Sequence, residues 1–262
     1  MSGNDYSLIT EIPGNRASAE QLDMIHTRYA LAATFAKNRD VLEAAAGPGR
    51  GLGFLAYSAK SVTGGDIMDS LVKMAQAHYA GNRKVKVLAF DAQSLPFPDS
   101  SFDLVIMFEA VYYLPDAGKF IAEAGRVLRP GGTLLVCSVN REWSDFNPSP
   151  FSTRYYTARE LEAMLSQAGF KAEIRAGFEA TAKTPLQKGV SLVKRLAVKF
   201  GLIPKSMKGK AWLKRLFYGK LGELGPEIDD SVPVHPLVRI TAFPVTSYKV
   251  LYAIGTKPGG AS

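Results

Sequence analysis

Short apolar runs alternate along the chain with longer segments in which apolar residues recur at helical spacing. Turns that contain glycine, proline or acidic residues separate them. This alternation is typical of a parallel sheet with helices on both faces. Strands are predicted at 40–42, 61–66, 85–90, 104–108, 133–139, 170–176 and 247–256, and helices at 17–37, 54–59, 69–80, 116–128 and 157–169.

The first predicted helix has a recognisable start. Ser18 can cap it, and Gln21 stands three residues later, which is the spacing of a capping box. Leu22, Ile25 and Tyr29 follow at helical intervals. The pattern therefore predicts an amphipathic helix over residues 17–37.

The stretch from Val41 to Gly53 combines a strand end, the acidic Glu43 and a series of glycines at positions 47, 49, 51 and 53. A strand, a tight glycine turn and a helix N-terminus bring bare backbone N–H groups close to a ligand. Dinucleotide-binding proteins need Gly-x-Gly-x-x-Gly, but the sixth position counted from Gly47 or Gly49 is Leu52 or Phe54. No Gly-Lys-Ser/Thr follows either, which excludes a phosphate-binding P-loop.

Acidic residues also follow the next predicted strands. Asp66 ends the strand at 61–66, Asp91 follows the strand at 85–90, and Glu109 follows Phe108. Because the carboxyl ends of parallel strands meet at one edge of a sheet, we expect these residues to line one crevice with Glu43. A carboxylate at the second strand end can accept both hydroxyls of a ribose.

These features resemble the class I S-adenosylmethionine (SAM) methyltransferases. Their first motif is an acidic residue followed by Gly-x-Gly-x-Gly, and here Ala45 stands where the family usually has its first glycine. The link Leu95–Asp103 and the turn Arg129–Gly132 are also similar to the family. The resemblance covers residues 20–180 and 246–258.

The resemblance implies an α/β fold, with a doubly wound, seven-stranded, mostly parallel sheet, an antiparallel last strand and a helical lid insertion. It implies a SAM-dependent methyltransferase that moves a methyl group to a small, apolar or amphipathic acceptor. The cofactor would be S-adenosyl-L-methionine and the product S-adenosyl-L-homocysteine.

The same resemblance implies roles for individual residues. Arg28 would pair with the cofactor carboxylate, Tyr29 would cover its methionine part, Asp66 would bind the ribose and Asp91 the adenine amino group. Tyr112 and Tyr113 would line the methyl-transfer pocket. The implied cofactor-binding residues are Arg28, Tyr29, Glu43, Ala45, Gly47, Gly49, Asp66, Ile67, Asp91, Ala92, Gln93, Phe108 and Glu109.

Charge divides the chain into unequal parts. The net charge is +8, yet eleven Lys and Arg residues and no acid lie between Lys183 and Gly222, so the rest of the chain is net acidic. We therefore predict a flexible arm over 1–17, a SAM-binding domain over 18–176 and 246–258, and a basic helical insertion over 177–245 that caps the substrate.

The basic insertion leaves three interpretations open. Apolar residues recur at helical spacing over 192–200 and 212–221, with Lys and Arg on the other faces. These helices could form a lid with solvated charges, or they could bind an anionic membrane surface by inserting Trp212 and Phe217. Nucleic acid is the third partner class, but the basic face carries few interleaved aromatic residues.

The cysteine content and the absence of several sequence patterns restrict the class of protein further. The single cysteine, Cys137, lies in an apolar run and cannot form an internal disulfide. The sequence shows no apolar run of membrane-spanning length, no signal-peptide pattern at residues 1–10 and no Cys/His set with metal spacing. We therefore expect a cytoplasmic protein with no metal site.

Two alternatives to a small-molecule methyltransferase stay open. The first is an RNA or protein methyltransferase that uses the basic insertion, although no Asn-Pro-Pro-Tyr motif is present. The second is a non-catalytic SAM-binding protein, which would be favoured if Ala45 weakened the pocket. The acceptor atom and the oligomeric state are not specified by the sequence.

Overall fold

A computed structural model describes residues 11–180, 221–228 and 233–259. Five helices and ten strands lie within those ranges, together with a 3₁₀ turn at Val111–Tyr113. Their bounds are β1 (Arg16–Ala17), α1 (Ala19–Ala36), β2 (Asp40–Ala44), α2 (Leu52–Ser58), β3 (Ser61–Asp66), α3 (Asp69–His78), β4 (Val85–Ala89), β5 (Phe102–Phe108), α4 (Ala117–Val127), β6 (Leu128–Val139), α5 (Ala158–Gln167), β7 (Lys171–Glu179), β8 (Gly222–Glu223), β9 (Val238–Arg239) and β10 (Tyr248–Thr256).

The central sheet has the strand order β4-β3-β2-β5-β6-β10-β7-β9. Strands β2 to β6 run parallel, and β10 inserts antiparallel between β6 and β7. This confirms the predicted doubly wound sheet with an antiparallel last strand. The two-residue β9 adds an eighth strand at the edge of β7, which the sequence pattern did not indicate.

Two apolar clusters explain why the strands are continuous hydrophobic runs. Leu42 and Val105 point to the face covered by α4 and α5, whereas Val41 and Leu104 point to the face covered by α1, α2 and α3. All four side chains are fully buried. A strand that is buried on both faces needs apolar residues at every position, rather than at alternate ones.

Side-chain caps set the starts of three helices. The Ser18–Gln21 capping box forms as predicted, since the Ser18 hydroxyl accepts from Gln21 N and the Gln21 side chain accepts from Ser18 N. Thr157 forms an equivalent box at α5, and Asp116 accepts from Lys119 N at α4. Each such cap contributes about 1 kcal/mol of helix stability.

The turn predicted at Arg129–Gly132 lies at the start of a longer strand. Pairing between β5 and β6 moves from Phe102–Leu128 to Leu104–Thr133, so residues 129–132 bulge out of that ladder. The bulge instead forms backbone hydrogen bonds with Lys257, just after β10. Gly131 N donates to Lys257 O at 3.0 Å, and Lys257 N donates to Gly132 O at 2.9 Å.

Residues 11–17, assigned above to an arm, lie against the segment that follows the basic stretch. β1 pairs antiparallel with β8, Gly14 N donates to Leu224 O at 2.8 Å, and Leu224 N donates to Asn15 O at 2.8 Å. The predicted helices at 192–200 and 212–221 lie outside the described residues, except for Leu221. The domain boundaries at residues 17, 176 and 245 stay predictions.

In the part of the chain that the structure describes, none of the helices combines the length and the apolar character that crossing a membrane requires. Within those same ranges, His, Cys, Asp and Glu side chains nowhere gather in groups of three or more that could hold a metal ion.

Glycine is required in β3 because side chains from both neighbouring layers approach its backbone. A Cβ at Gly64 would lie 2.6 Å from Leu52 Cδ1, and one at Gly65 would overlap the Phe90 ring. We predict that Gly65→Ala lowers the free energy of unfolding by about 1–3 kcal/mol, since Phe90 must move in a packed core. Urea denaturation measures the change.

The matched control is Gly81→Ala. Gly81 is exposed, and a Cβ there would meet nothing within 4 Å. We expect its effect to stay within about 0.5 kcal/mol. Equal stability of the two variants would contradict the packing described for β3.

Candidate active site

The ends of four parallel strands bring the predicted acidic residues to one edge of the sheet. Glu43 in β2 is in register with Gly64 in β3 and Ile106 in β5, and Asp66 is in register with Ala89 in β4. Asp91, Asp66, Glu43 and Glu109 therefore follow one another along the carboxyl edge, where open α/β sheets bind their ligands.

The turn after β2 uses left-handed backbone at three positions. Gly47 has φ 57° and Gly49 has φ 80°, which glycine adopts without a steric penalty. Ala45 has φ 58° and carries a Cβ, which costs about 1–2 kcal/mol in this conformation. Ala45 therefore keeps the backbone path expected of a glycine at a cost in stability, and the turn itself is formed.

Tyr29 connects the first helix to this turn. Its hydroxyl donates to Glu43 Oε1 at 2.6 Å, and its ring packs edge-on against Phe108 with centroids 5.0 Å apart. The ring also lies directly over Gly51, where a Cβ would overlap it. The predicted residues Tyr29, Glu43 and Phe108 thus meet at one point, and only glycine at position 51 leaves room for them.

Glu43 carries a buried carboxyl group, and only one of its two oxygens has a hydrogen-bond partner among the described residues. Burial raises its pKa to about 7, although the Tyr29 hydrogen bond and the Arg28 charge act in the opposite direction. Oε2 has no hydrogen-bond partner among the described residues. An unpaired buried oxygen is costly, so a cationic donor at this place would be strongly favoured.

Two buried guanidinium groups, on Arg28 and Arg50, meet the carboxylate of Glu11, and the Arg28 charge also acts on Glu43. Arg28 holds the carboxylate of Glu11 with both terminal nitrogens, at 3.2 Å and 2.5 Å, and Arg50 Nη1 is 3.8 Å from the same carboxylate. Arg50 Nε donates to Gly225 O at 2.7 Å. Arg28 Nε and Arg50 Nη1 have no hydrogen-bond acceptor within the described ranges.

The sequence argument found Arg28 but missed Arg50 and Glu11. A charged residue between two glycines of a buried turn, as Arg50 is, could have indicated a site residue. Glu11 carries no local signal, because its role depends on where the chain before α1 runs. Tyr79 was also missed; its hydroxyl donates to Gly49 O at 2.8 Å and accepts from Gly53 N at 3.0 Å, which fixes the turn.

The residues predicted to bind the adenosine lie at the ends of β3 and β4. Asp66 accepts from Gly47 N and Met68 N, both at 2.9 Å, and burial raises its pKa. Asp91 accepts from Gln93 N at 2.8 Å, and Gln93 Oε1 accepts from Asp116 N at 2.9 Å. Beside them, Ala92 is buried and Ile67 is 60% exposed.

Glu109 occupies a strained position at the end of β5. Its φ is 52°, in the left-handed region that only glycine adopts readily, and burial raises its pKa. Tyr112 donates to Glu109 Oε2 at 2.9 Å, and the Cys137 thiol lies 3.5 Å from Oε1. Strain and a raised pKa together are typical of functional carboxylates.

The two predicted pocket tyrosines differ in their surroundings. Tyr112 bonds to Glu109 and stacks on Tyr155 with centroids 4.2 Å apart. The Tyr113 hydroxyl donates instead to Ser149 Oγ at 2.7 Å, in the loop after β6. The structure therefore brings Tyr112 to the carboxyl edge and directs the Tyr113 hydroxyl toward that loop.

Comparison with known proteins agrees with this geometry. Residues 42–136, which run from β2 to β6, match the model of a family described as a methyltransferase domain. Over this part of its length the chain is similar to S-adenosylmethionine-dependent methyltransferases. S-adenosylmethionine is the cofactor of that family.

Individual relatives point the same way. Over 145 residues the chain is 39% identical to a protein named probable S-adenosylmethionine-dependent methyltransferase from Mycolicibacterium smegmatis, covering 53% of this chain and 54% of the relative. Over 147 residues it is 32% identical to a fatty-acid O-methyltransferase from the same organism, covering 55% and 51%. The chain thus spans about half the length of the curated relatives it matches.

Solved structures confirm the fold. A SAM-dependent methyltransferase from Thermotoga maritima superposes with a TM-score of 0.57 at 19% identity, covering 91% of this chain and 94% of that one. At this level of identity the match shows that the sheet and its helices have the same arrangement, and it does not indicate a substrate.

The raised pKa of Glu43 predicts a pH dependence of stability. A carboxyl whose pKa is higher folded than unfolded stabilises the fold fully below its unfolded pKa, about 4.3, and that contribution is lost as pH rises through about 7. Glu43→Gln has no such loss. We expect the stability of the variant relative to wild type to increase by roughly 3 kcal/mol from about pH 4 to about pH 8.

Denaturation in urea at several pH values measures this difference. Glu142→Gln is a suitable control, because Glu142 is an ordinary partly buried acid that accepts from Val245 N. A constant difference between Glu43→Gln and wild type across this pH range would show that the pKa of Glu43 is not raised.

Proposed function

We propose that the protein transfers the methyl group of SAM to a small apolar or amphipathic acceptor. The observation that carries the proposal is the set of buried charges beside the glycine turn. Arg28 Nε, Arg50 Nη1 and Glu43 Oε2 are all buried and lack hydrogen-bond partners in the described chain. An α-amino acid group, which presents a carboxylate and an ammonium together, satisfies both kinds of charge.

One group of residues fits the methionine part of the cofactor, and another group fits its adenosine part. Arg28 and Arg50 would hold its methionine carboxylate, and Glu43 would accept from its ammonium, which would lower the raised pKa of Glu43. Asp66 would accept from the ribose hydroxyls at the end of β3. Asp91 would contact the adenine, together with the exposed Ile67, which follows Asp66 in the chain.

SAM supplies, when bound, a methyl group on a cationic sulfur that is already a good leaving group. The protein then contributes mainly by positioning the two reactants and by excluding water. Glu109 can accept a proton from the acceptor, because burial raises the pKa of its carboxyl and thereby makes it a stronger base. Tyr112 orients that carboxyl through its hydrogen bond.

The surroundings of Glu109 favour an apolar or amphipathic acceptor. Tyr112 and Tyr155 are stacked and buried, and Phe146 packs against Tyr155 with centroids 4.7 Å apart. A wall of aromatic rings beside a single carboxylate suits a molecule with a long apolar body and one reactive polar group. The fatty-acid O-methyltransferase among the relatives supports this class.

Cofactor binding is tested by calorimetric titration with S-adenosylhomocysteine. We expect saturable binding to wild type and an affinity lower by on the order of tenfold or more in Asp66→Asn, because the ribose loses a charged acceptor. Asp99→Asn is the control, since Asp99 is exposed and pairs with Arg126 on the surface. If wild type fails to bind the nucleoside product at all, the proposed function is wrong.

The acceptor class is tested with tritiated SAM and pools of fatty acids, hydroxylated fatty acids, small phenols, transfer RNA and peptides. We expect label in a lipid or phenol pool, and turnover lower by about tenfold or more in Tyr112→Phe, with unchanged cofactor affinity. Tyr113→Phe should have little effect, because its hydroxyl bonds to Ser149 instead of Glu109.

Other results of the screen would decide between the alternatives. Label in RNA or peptides would favour a macromolecular acceptor and the basic insertion. Cofactor binding without label in any pool would favour a protein that binds SAM without methyl transfer.

A further inference from the structure

The carboxylate of Glu11 lies on the pair of arginines that suits the methionine carboxylate of the cofactor. Both of its oxygens contact the Arg28 guanidinium, and one is 3.8 Å from Arg50 Nη1. The Arg28 and Arg50 side chains are 7% exposed, whereas the Glu11 side chain is 39% exposed. The chain thus supplies, from its own N-terminal segment, the same chemical group as the cofactor.

The two arginines are held rigidly, so the carboxylate is the partner that can exchange. Arg28 projects from α1 and lies 5.5 Å from the Tyr29 ring centroid and 5.8 Å from that of Phe108. Arg50 is fixed by its bond to Gly225 O. A buried guanidinium without a counter-charge is strongly unfavourable, and one carboxylate must therefore be replaced by another.

The backbone next to Glu11 contains a hinge. Gly14 has φ 87° and its Cβ position is open, with nothing within 4 Å. The hydrogen bonds to the neighbouring strand begin at Gly14 and Asn15, which pair with Leu224, and continue into the β1–β8 ladder. A turn bond, from Asn15 N to Ile12 O at 3.1 Å, spans Gly14. Rotation at Gly14 would break that bond, move Glu11 away from the arginines and leave β1 paired.

We propose that Glu11 is a built-in competitor for the carboxylate of the methyl donor, and that cofactor binding displaces residues 11–13 about Gly14. The inference rests on the proposed function, because it takes the Arg28–Arg50 pair as the seat of the cofactor carboxylate. Displacement couples cofactor binding to the position of the N-terminal segment. The competing carboxylate lowers the apparent affinity for any ligand that needs the arginine pair, and for no other.

The test compares two ligands on two proteins by calorimetry. S-adenosylhomocysteine carries the amino-acid group, and 5′-methylthioadenosine has the adenosyl part without it. We expect Glu11→Gln to bind S-adenosylhomocysteine on the order of tenfold more tightly than wild type, and methylthioadenosine with unchanged affinity. Glu20→Gln is the matched control, because Glu20 pairs with Lys249 away from the arginines.

A second variant keeps the test decisive if Glu11→Gln is poorly folded by circular dichroism. Glu11→Asp retains the charge on a shorter side chain that reaches the guanidinium less well, and it should give a smaller gain for the same ligand. Equal or weaker binding of S-adenosylhomocysteine in these variants would overturn the proposal while leaving the proposed function intact. Failure of both ligands to bind any of the proteins would overturn both.

Discussion

The hydrogen bond between Tyr29 and Glu43 is the interaction on which the site depends. Glu43 is the penultimate residue of β2 and is almost completely buried, so its carboxyl needs a donor that comes from another element. α1 provides that donor through Tyr29, and the tyrosine ring then occupies the space above Gly51. One contact thereby fixes the helix, the strand end and the glycine turn relative to one another.

The charged side chains around this bond are buried although folding does not require charges there. Burial raises the pKa values of Glu43 and Glu109, and the Arg28 charge acts on both carboxyls. Arg50 is buried beside the carboxylate of Glu11. Apolar residues of similar size would be at least as stabilising at such positions. Under the proposed function, a ligand that carries both signs of charge accounts for their presence, and the Glu11 carboxylate contacts Arg28 as the anionic half of that ligand would.

Only part of the candidate site lies within the residues that match the methyltransferase domain model. The part from β2 to β6 matches the methyltransferase domain model and contains the turn, Asp66 and Asp91. The loop after β6, with Phe146, Ser149 and Tyr155, lies beyond that match and forms the aromatic surroundings of Tyr112. Under the proposed function, the acids that would bind the adenosine of the donor lie within the matched part, and the loop after β6 would contribute to acceptor selection.

The sequence by itself determined the strands, the helices and the acids that follow the strands, because hydrophobic periodicity, glycine spacing and caps such as Ser18 act over a few residues. It indicated the arrangement of the strands in the sheet, Arg28 and Tyr29 only through resemblance. The tertiary structure alone decided that Glu11 meets Arg28, that Arg50 bonds Gly225, and that Tyr112 and not Tyr113 reaches Glu109. Glu11–Arg28 and Arg50–Gly225 join residues that are distant in sequence, and the adjacent Tyr112 and Tyr113 direct their hydroxyls to different partners. A local sequence pattern does not predict where a loop places a side chain.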